Sequence, residues 1–214
     1  MKAHQKRHMV SKEWPIPRKG TKFVARARSG GIPLVILLRD VLKIARNKRE
    51  VKKAIHKKDL KVNEKLVIDE RRSLKLFDIL TIVPAKKSYK LILTEKGKFD
   101  LQEIKEKEST KKLSKVIGKR ILKGKIVQLN LYDGRNYLCD LKCKLNDTAI
   151  LDLSKNKIEK CLELKEKAKA LVIGGKHAGK QGIITKLIED RKMVGLKTEE
   201  KLFNVLIKQL MIIE

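Results

Sequence analysis

Acidic residues are scarce in this sequence. Its 214 residues include 25 Asp and Glu against 54 Lys and Arg, so the formal net charge at pH 7 is +29 with neutral histidines. A surplus of this size is too basic for an ordinary soluble enzyme, and it repels itself unless an acidic partner neutralises it. We therefore expect a polyphosphate as the partner of this chain.

Aromatic residues and long apolar runs are also few. One Trp, three Tyr and four Phe leave the cores to be filled by Ile, Leu and Val. The longest apolar run, residues 32–38, contains Pro33 and is far shorter than the roughly 18 to 20 residues that cross a bilayer. The N-terminus lacks the apolar segment of a secretory signal. We expect a mature sequence without a membrane-spanning helix or a membrane partner.

Cysteine is rare and occurs only as Cys139, Cys143 and Cys161. An odd number leaves one over in any disulfide scheme, and it predicts reduced thiols that act as small hydrophobic residues. A zinc site would need a fourth ligand, and His177 lies far away in the sequence. We expect no metal and no cofactor.

Residues 1–31 carry the highest density of positive charge. They hold nine basic residues and one acidic residue, Glu13, which gives +8. The segment has almost no apolar periodicity, so it predicts a basic arm that orders on its partner. Trp14 lies beside Pro15 and Pro17, where it could equally stack on a base or fill a gap on the next domain.

Residues 32–85 predict two helices on a small sheet. Pro33 suits the first position of a helix, and the apolar spacing over residues 34–45 is typical of an amphipathic helix. Arg39, Lys43 and Arg46 fall on one stripe of that helix.

A second helix is predicted to start at Asn47, because Glu50 three residues later completes a capping-box pattern. Residues 60–68 predict a hairpin around 63–65, and residues 76–83 predict a further strand. The apolar face of the second helix is Val51, Ala54 and Ile55, and its other faces carry Lys48, Arg49, Lys52, Lys53 and Lys57.

The stretches 49–55, 61–66 and 77–82 carry a resemblance to a known module. With Arg-Glu-Val-Lys-Lys-Ala-Ile, Lys-Val-Asn-Glu-Lys-Leu and Phe-Asp-Ile-Leu-Thr-Ile, they resemble the small RNA-binding module first named from ribosomal protein S-four. The resemblance implies that two helices and a following loop clamp structured RNA with basic side chains. Glu64 departs from the pattern, since the turn of the module commonly has Gly.

Residues 86–170 predict a β-rich domain. The stretch 102–115 is polar enough to be an exposed loop or a frayed helix, whereas residues 125–132 alternate as in a strand. A turn at Asp133-Gly134 and a return strand through residues 137–141 follow, with Arg135 and Asn136 presented at the turn.

Residues 171–214 predict a strand, a glycine-rich loop over 174–182, a second strand and a later closing strand around 203–207. Gly174, Gly179 and Lys180 imitate a phosphate-binding P-loop, but Gln181 replaces the magnesium-binding Ser or Thr and a strand replaces the helix. The segment is similar to the KOW motif of small SH3-like barrels, which would place Lys176, His177 and Lys180 on the loop.

A longer resemblance covers residues 124–136, Gly-Lys-Ile-Val-Gln-Leu-Asn-Leu-Tyr-Asp-Gly-Arg-Asn. They are similar to the central signature of the archaeal and eukaryotic small-subunit ribosomal protein family S-four-e, and residues 14–20 and 32–40 look like its archaeal branch. The resemblance implies an α+β, mostly β fold. It would comprise an arm at 1–31, a two-helix module at 32–85, a central β-rich domain at 86–170 and a KOW barrel at 171–214.

The resemblance also implies a function in translation. It indicates a non-catalytic structural constituent of the small ribosomal subunit in the cytoplasm, with ribosomal RNA and neighbouring small-subunit proteins as partners and no small-molecule substrate. Basic side chains would neutralise phosphates and release counterions. The candidate RNA-binding residues are Lys2, Lys6, Arg7, Lys12, Trp14, Arg18, Lys19, Lys22, Arg26, Arg28, Arg39, Lys43, Arg46, Lys48, Arg49, Lys52, Lys53, Lys57, Arg71, Arg72, Arg135, Asn136, Lys176, His177 and Lys180.

Two other functions compete with this interpretation. An RNA-modifying enzyme such as a pseudouridine synthase also carries the two-helix module, but it needs a catalytic Asp in a large domain, and Asp133 is only a superficial candidate. A KOW-bearing transcription factor would lack the two-helix module and the arm. No nucleophile, base and orienting acid form a triad pattern, so we expect no catalysis.

Overall fold

The computed structural model describes residues 4–105, 108–139, 141–188, 192–198 and 201–213. Lys2, a candidate RNA-binding residue, lies outside them. The chain divides into an N-terminal unit, Met1–Ile92 with Lys98–Thr110, and a C-terminal unit, Leu93–Gly97 with Lys111–Glu214. The boundaries predicted after residues 31, 85 and 170 all fall inside one of these units. None of the helices in the described ranges has the length and apolarity needed to span a bilayer.

The arm is folded in the described part of the chain. Strand β1 (His4–Lys6) pairs antiparallel with β2 (Phe23–Ala25), and a 3₁₀ turn over Arg7–Met9 follows β1. Val10, Trp14 and Val24 are buried. The expectation that the arm needs a partner to order is therefore wrong for residues 4–31, because they form a strand pair and bury these three apolar side chains.

The first predicted helix is shorter than its apolar pattern suggested. Strand β3 (Ile32–Pro33) pairs with β6 (Ser73–Leu74), and α1 (Leu34–Ile36) continues into a π-helical turn over Leu37–Val41. Lys43 has a φ of 55°, which ends the helical path. The predicted cationic stripe of Arg39, Lys43 and Arg46 on one helix is therefore wrong.

The second helix begins as predicted. Helix α2 spans Lys48–His56, and the Oδ1 of Asn47 accepts a hydrogen bond from the Glu50 amide at 3.0 Å. The Glu50 carboxylate in turn accepts from the Arg46 amide at 2.6 Å. Val51 and Ile55 are buried, so the cationic faces of α2 point outward. This confirms the predicted cap and apolar face.

A five-stranded sheet completes the N-terminal unit, in the order β5 (Lys65–Leu66), β4 (Leu60–Val62), β7 (Ile79–Ile82), β8 (Lys87–Leu93) and β9 (Phe99–Ile104). The β4–β5 hairpin turns on Asn63 and Glu64, with φ values of 51° and 63°. Glu64 thus adopts the left-handed conformation that the module usually gives to Gly. Asn63 is buried and donates to Asp78 Oδ1 at 2.7 Å, which fixes the turn against the start of β7.

The C-terminal unit contains two five-stranded sheets, each with its own apolar core. The central sheet has the order β12 (Asn136–Leu138), β11 (Val127–Leu131), β10 (Lys111–Ile121), β13 (Thr148–Asp152) and β14 (Lys157–Leu162). The other has the order β18 (Leu202–Leu206), β17 (Met193–Lys197), β16 (Gln181–Ile188), β15 (Lys169–Val172) and β19 (Leu210–Ile212). The α+β, mostly β class is confirmed, and the KOW assignment stays a prediction.

Two expectations for the central region are wrong. The prediction of a loop or frayed helix over residues 102–115 is wrong for 102–104 and 111–115, which belong to β9 and β10. Residues 105 and 108–110 lie between these strands, and residues 106 and 107 lie outside the described ranges. Cys143 and Cys161 form a disulfide, with Cα atoms 5.9 Å apart, so these two are not reduced thiols. Cys139 is free and buried.

Candidate nucleic-acid interface

Helix α2 presents a row of exposed cations. Its cap and its buried residues Val51 and Ile55 fix the rotation of the helix, so the basic side chains face solvent. Among the described residues, no carboxylate lies within ion-pair distance of the four cations that follow Lys48. These four are Arg49, Lys52, Lys53 and Lys57, and all are exposed.

The segment 69–72 joins the arm to both helices. Asp69 contacts Arg28 of the arm at 3.5 Å and Arg71 at 3.6 Å, and Glu70 contacts Lys48 of α2 at 2.8 Å. Burial raises the pKa of Asp69, but the amide of Arg71 and the charges of Arg71 and Arg28 outweigh it and hold that pKa below its ordinary value. The structure therefore brings these three predicted cations together around carboxylates.

Arg72 and Arg39 lie at either end of α1. The Arg72 carbonyl accepts from the Leu34 amide at 2.9 Å, and its side chain is exposed. Arg39 is engaged by its neighbour Asp40, at 3.0 Å through Nε and 2.7 Å through Nη2, and the hydrogen bond raises the pKa of Arg39. Lys43 and Arg46 are exposed beyond the helix end.

The predicted arm residues have different environments. The Arg7 guanidinium donates to the carbonyls of Pro17 and Thr21 at 2.8 and 2.7 Å and to the Thr21 hydroxyl at 2.7 Å, so it holds the loop of the arm closed. Trp14 is 5% exposed, which matches the gap-filling alternative rather than base stacking. The exposed cations of the described part of the arm are Lys6, Lys12, Arg18, Lys19, Lys22, Arg26 and the Asp69-paired Arg28.

The turn between β11 and β12 is built on a buried ion pair. Lys112 of β10 contacts Asp133 Oδ2 at 2.6 Å, with side-chain exposures of 0% and 4%. Burial raises the pKa of Asp133, but the charge of Lys112 outweighs it and holds that pKa below its ordinary value. Arg135 is half-buried and 3.8 Å from the same carboxylate, whereas Asn136 is exposed.

Two of the three candidate RNA-binding residues on the glycine-rich loop of the C-terminal unit contact one aromatic ring. His177 stacks on Phe203 with ring centroids 4.3 Å apart, and the Lys180 Nζ lies 5.6 Å from the centre of that ring. Lys176 is exposed. The strand β16 directly follows the loop, so the helix that a P-loop requires does not follow it.

Sequence reasoning missed the buried lysines of β10 and the position of Lys98. Lys112 and Lys115 are 1% and 3% exposed, although the polar composition around them indicated a surface segment. Lys98 lies beside the arm, where it lines a cleft with Lys12 and Arg18. The alternation of β10 could have indicated a strand, but nothing local reveals partners more than 20 residues away. Among the described residues, no group of three His, Cys, Asp or Glu could hold a metal ion.

Comparison with known proteins identifies the family. Residues 85–158 match the model of Ribosomal family S4e. The small ribosomal subunit protein eS4 of Methanosphaera stadtmanae is 34% identical over 220 residues, covering 98% of this chain and 91% of the relative. The same protein of Methanocella arvoryzae is 33% identical over 190 residues, covering 86% and 80%.

A solved structure shares the fold. The crystal structure of the 30S ribosomal protein S4e from Thermoplasma acidophilum superposes with a TM-score of 0.73 at 24% sequence identity, covering 87% of this chain and 96% of that one. At 24% identity this similarity shows the fold, whereas the two relatives above show the family. This chain belongs to the ribosomal protein family S4e.

Proposed function

We propose that this chain is a structural constituent of the small ribosomal subunit and binds ribosomal RNA through the exposed cations of its N-terminal unit. The observation that carries the proposal is the face of α2, where Arg49, Lys52 and Lys53 are exposed and no carboxylate of the described residues lies within ion-pair distance of them. The charge of Lys52 acts on Glu70 only from beyond that distance. Cations that no protein carboxylate neutralises are free to displace counterions from phosphates. Kinship with small ribosomal subunit proteins supports RNA as the source of those phosphates.

Shape and backbone set the specificity of such binding. An A-form duplex hides its base edges in a deep, narrow groove, so side chains contact mainly phosphates and 2′-hydroxyls. The pairs that Asp69 and Glu70 form with Arg28, Arg71 and Lys48 fix the arm and α2 to one segment. Arm and helix would then contact RNA as one surface, inside the ribosome and beside neighbouring small-subunit proteins in the cytoplasm.

A catalytic role finds no support at Asp133. That residue is the acid that an RNA-modifying enzyme would need, but its carboxylate is 4% exposed and paired with Lys112. A substrate base could not reach it without breaking the pair. Ribosomal family S4e is moreover a family of ribosomal proteins rather than a class of enzymes.

Replacing Arg49, Lys52 and Lys53 together with Ala tests the proposal. Each lost phosphate contact lowers the slope of log K against log salt by roughly 0.7 to 0.9, so three contacts lower it by about 2 to 3. The measurement is binding of full-length protein to small-subunit ribosomal RNA across a series of salt concentrations. We expect a weaker and less salt-dependent interaction.

The matched control replaces Lys155, Lys157 and Lys160 with Ala. These exposed lysines of the β13–β14 hairpin carry the same charge, so the control removes three positive charges elsewhere. We expect its salt slope to stay at the wild-type value. Equal losses in the two triple variants would mean that the α2 face is ordinary surface and that net charge alone drives binding.

A further inference from the structure

The far end of the β10–β11 hairpin has a free edge. Residues 111–115 of β10 pair with β13, whereas residues 116–121 pair with β11. The Val116 amide still donates to the Asp147 carbonyl at 2.8 Å, but beyond it no described strand pairs with this edge of β10. Residues 117–131 therefore form a two-stranded ribbon with one unpaired edge, the β10–β11 ribbon.

A tight loop closes the β10–β11 ribbon. The Leu122 amide donates to the Ile126 carbonyl at 2.8 Å, so only three residues lie between the two strands. Gly124 and Lys125 have φ values of 80° and 60°, the left-handed conformation that short hairpin loops use. The loop therefore carries Lys123 and Lys125 at the tip of the ribbon, and both are exposed.

The β10–β11 ribbon carries charge of one sign only. Residues 117–131 hold four basic and no acidic residues, whereas residues 148–162, the other hairpin of the same sheet, hold three basic and two acidic ones. The four cations are all exposed, and no carboxylate of the described residues lies within ion-pair distance of them. They are Lys119, Arg120, Lys123 and Lys125. A surface that serves solubility intersperses both signs, so the charge of the ribbon indicates an anionic partner.

Exposed isoleucines indicate that this partner lies on the ribbon. Ile117, Ile121 and Ile126 are 56%, 71% and 44% exposed. Lysines can protect a free sheet edge from pairing with another chain, but they leave these apolar side chains in water. A partner that covers the ribbon would remove apolar surface from water, which is favourable.

One face of the ribbon is polar and rich in amides. The register places Arg120 opposite Gln128, and it places Gly118 and Asn136 on either side of Asn130. Cross-strand partners lie on the same face of a sheet, and the buried residues of β11 alternate with these and lie on the other face. The Gln128 amide donates to Asn130 Oδ1 at 2.9 Å. Because Gly118 has no side chain, the face is flat beside these amides.

Double-stranded RNA matches this combination of cations and amides. The minor groove of an RNA duplex is wide and shallow, and it presents 2′-hydroxyl groups between two phosphate backbones. Amides both donate and accept hydrogen bonds, which suits hydroxyl groups, and exposed cations suit phosphates. Residues 117–131 contain no aromatic side chain on which the bases of a single strand could stack.

We propose that the β10–β11 ribbon binds double-stranded RNA, with its amide face along the minor groove and its cations on the phosphates. This inference rests on the proposed function and extends RNA binding to the C-terminal unit.

Replacing Arg120, Lys123 and Lys125 together with Ala tests the inference. The changes are made in full-length protein that already lacks the three α2 cations, so that α2 does not compete for the probe. The probe is an RNA duplex of about 16 base pairs, the length that a double-stranded RNA-binding domain covers. We expect the slope of log K against log salt to fall by roughly 2 to 3, because three phosphate contacts are lost.

The matched control replaces Lys155, Lys157 and Lys160 with Ala in the same background. These lysines belong to the mixed-sign hairpin of the same sheet, and their removal should leave the slope unchanged. Because all substituted side chains are exposed, the variants should fold, and an unaltered circular dichroism spectrum verifies this.

Asn136→Ala tests the amide face separately from the charge. We expect the protein with an intact ribbon to bind the RNA duplex more tightly than a DNA duplex of the same sequence, which lacks 2′-hydroxyls. Asn136→Ala should reduce this preference about fivefold, the effect of one lost hydrogen bond, and should leave the salt slope unchanged.

Three outcomes would overturn the inference. Equal slopes for the ribbon variant and its control would mean that the ribbon does not contact RNA and faces an acidic protein surface instead; the proposed function would stand if the α2 variant still weakens binding of ribosomal RNA. Equal binding of the RNA and DNA duplexes would mean that the ribbon recognises phosphate alone. Absence of any salt-dependent RNA binding by the wild type would contradict both proposals.

Discussion

The two units of this chain differ in that only the C-terminal unit has buried lysines among its described residues. In the N-terminal unit, every described lysine and arginine is exposed or half-buried, and those of α2 face solvent. In the C-terminal unit, Lys112 and Lys115 of β10 lie in the interior. The net charge of +29 therefore includes exposed cations that a partner can contact and buried cations that it cannot.

The two buried lysines of β10 contact acceptors inside the protein rather than an external partner. Lys112 pairs with Asp133 at 2.6 Å. The Lys115 Nζ donates to the carbonyl oxygens of Ile207 and Leu210, the latter at 2.7 Å, and so ties the central sheet to the start of β19. Such a lysine is enclosed by the fold and is not available to RNA. Which role a lysine has is decided by burial and by its acceptors.

Among the substitutions that distinguish buried cations from exposed ones, we expect Lys112 to show the largest loss of stability. Replacing Lys112 with Met removes the ammonium group that contacts the buried Asp133 carboxylate at 2.6 Å, and breaking a buried pair in this way costs about 3 to 5 kcal/mol. The free energy of unfolding in urea measures the loss. The double variant Lys112→Met, Asp133→Leu should recover much of it, because it removes the buried carboxylate as well.

Lys111 provides the control on the same strand. It pairs with Glu159 at 2.9 Å, but both side chains are about half exposed, at 56% and 47%. An exposed ion pair contributes about 0 to 1 kcal/mol, so Lys111→Met should destabilise the protein only slightly. Similar losses for the two variants would contradict the distinction between buried and surface cations.

Reduction of the Cys143–Cys161 disulfide should have the next largest effect. The bond joins residues 18 apart, and closing a loop of this length stabilises a fold by about 3 kcal/mol. All three cysteines lie in the C-terminal unit, whereas Trp14 lies in the N-terminal unit. We expect reductant to shift the urea transition followed by circular dichroism and not the one followed by Trp14 fluorescence. A shift in both would show that the units unfold together.

The smallest of the three effects is a pH dependence from Lys115. Burial lowers the pKa of Lys115 to about 8 in the folded protein, against about 10.4 for an unfolded chain. The unfolded state therefore holds more protons between these values, so this group makes stability rise with pH across that window. The expected gain is about 2 kcal/mol between roughly pH 7 and 9.5.

Lys115→Met should abolish that rise. The measurement is the difference between the wild type and the variant in unfolding free energy at each pH, which cancels the titration of the other lysines. A difference that stays constant from neutral to alkaline pH would mean that Lys115 keeps its proton in the folded protein.

Local patterns predicted those elements whose stabilising contacts are local. Asn47 and Glu50 lie three residues apart, so the cap of α2 is visible in the sequence and present in the structure. The same holds for the turn at Asn63 and Glu64, where two residues with positive φ close the β4–β5 hairpin. Strand β11 alternates because one face is buried and the other is not.

Elements whose contacts are distant in sequence were predicted poorly. Lys112 and Lys115 read as surface residues because Asp133 and Leu210, their partners, are 21 and 95 residues away. The arm read as disordered because its core is only three scattered residues, Val10, Trp14 and Val24. The same distinction holds for the candidate interface. Helical spacing predicts the basic face of α2, whereas the position of Lys98 beside the arm depends on contacts that are distant in sequence.

One position of the glycine-rich loop, Gly179, has no room for a side chain. Gly179 has a φ of +89°, and a Cβ there would overlap the carbonyl oxygen of Thr94. Alanine, the smallest replacement, would already have to displace backbone rather than a flexible side chain, and it would also be strained at that φ. Glycine is therefore the one residue that position 179 accepts without displacing the main chain.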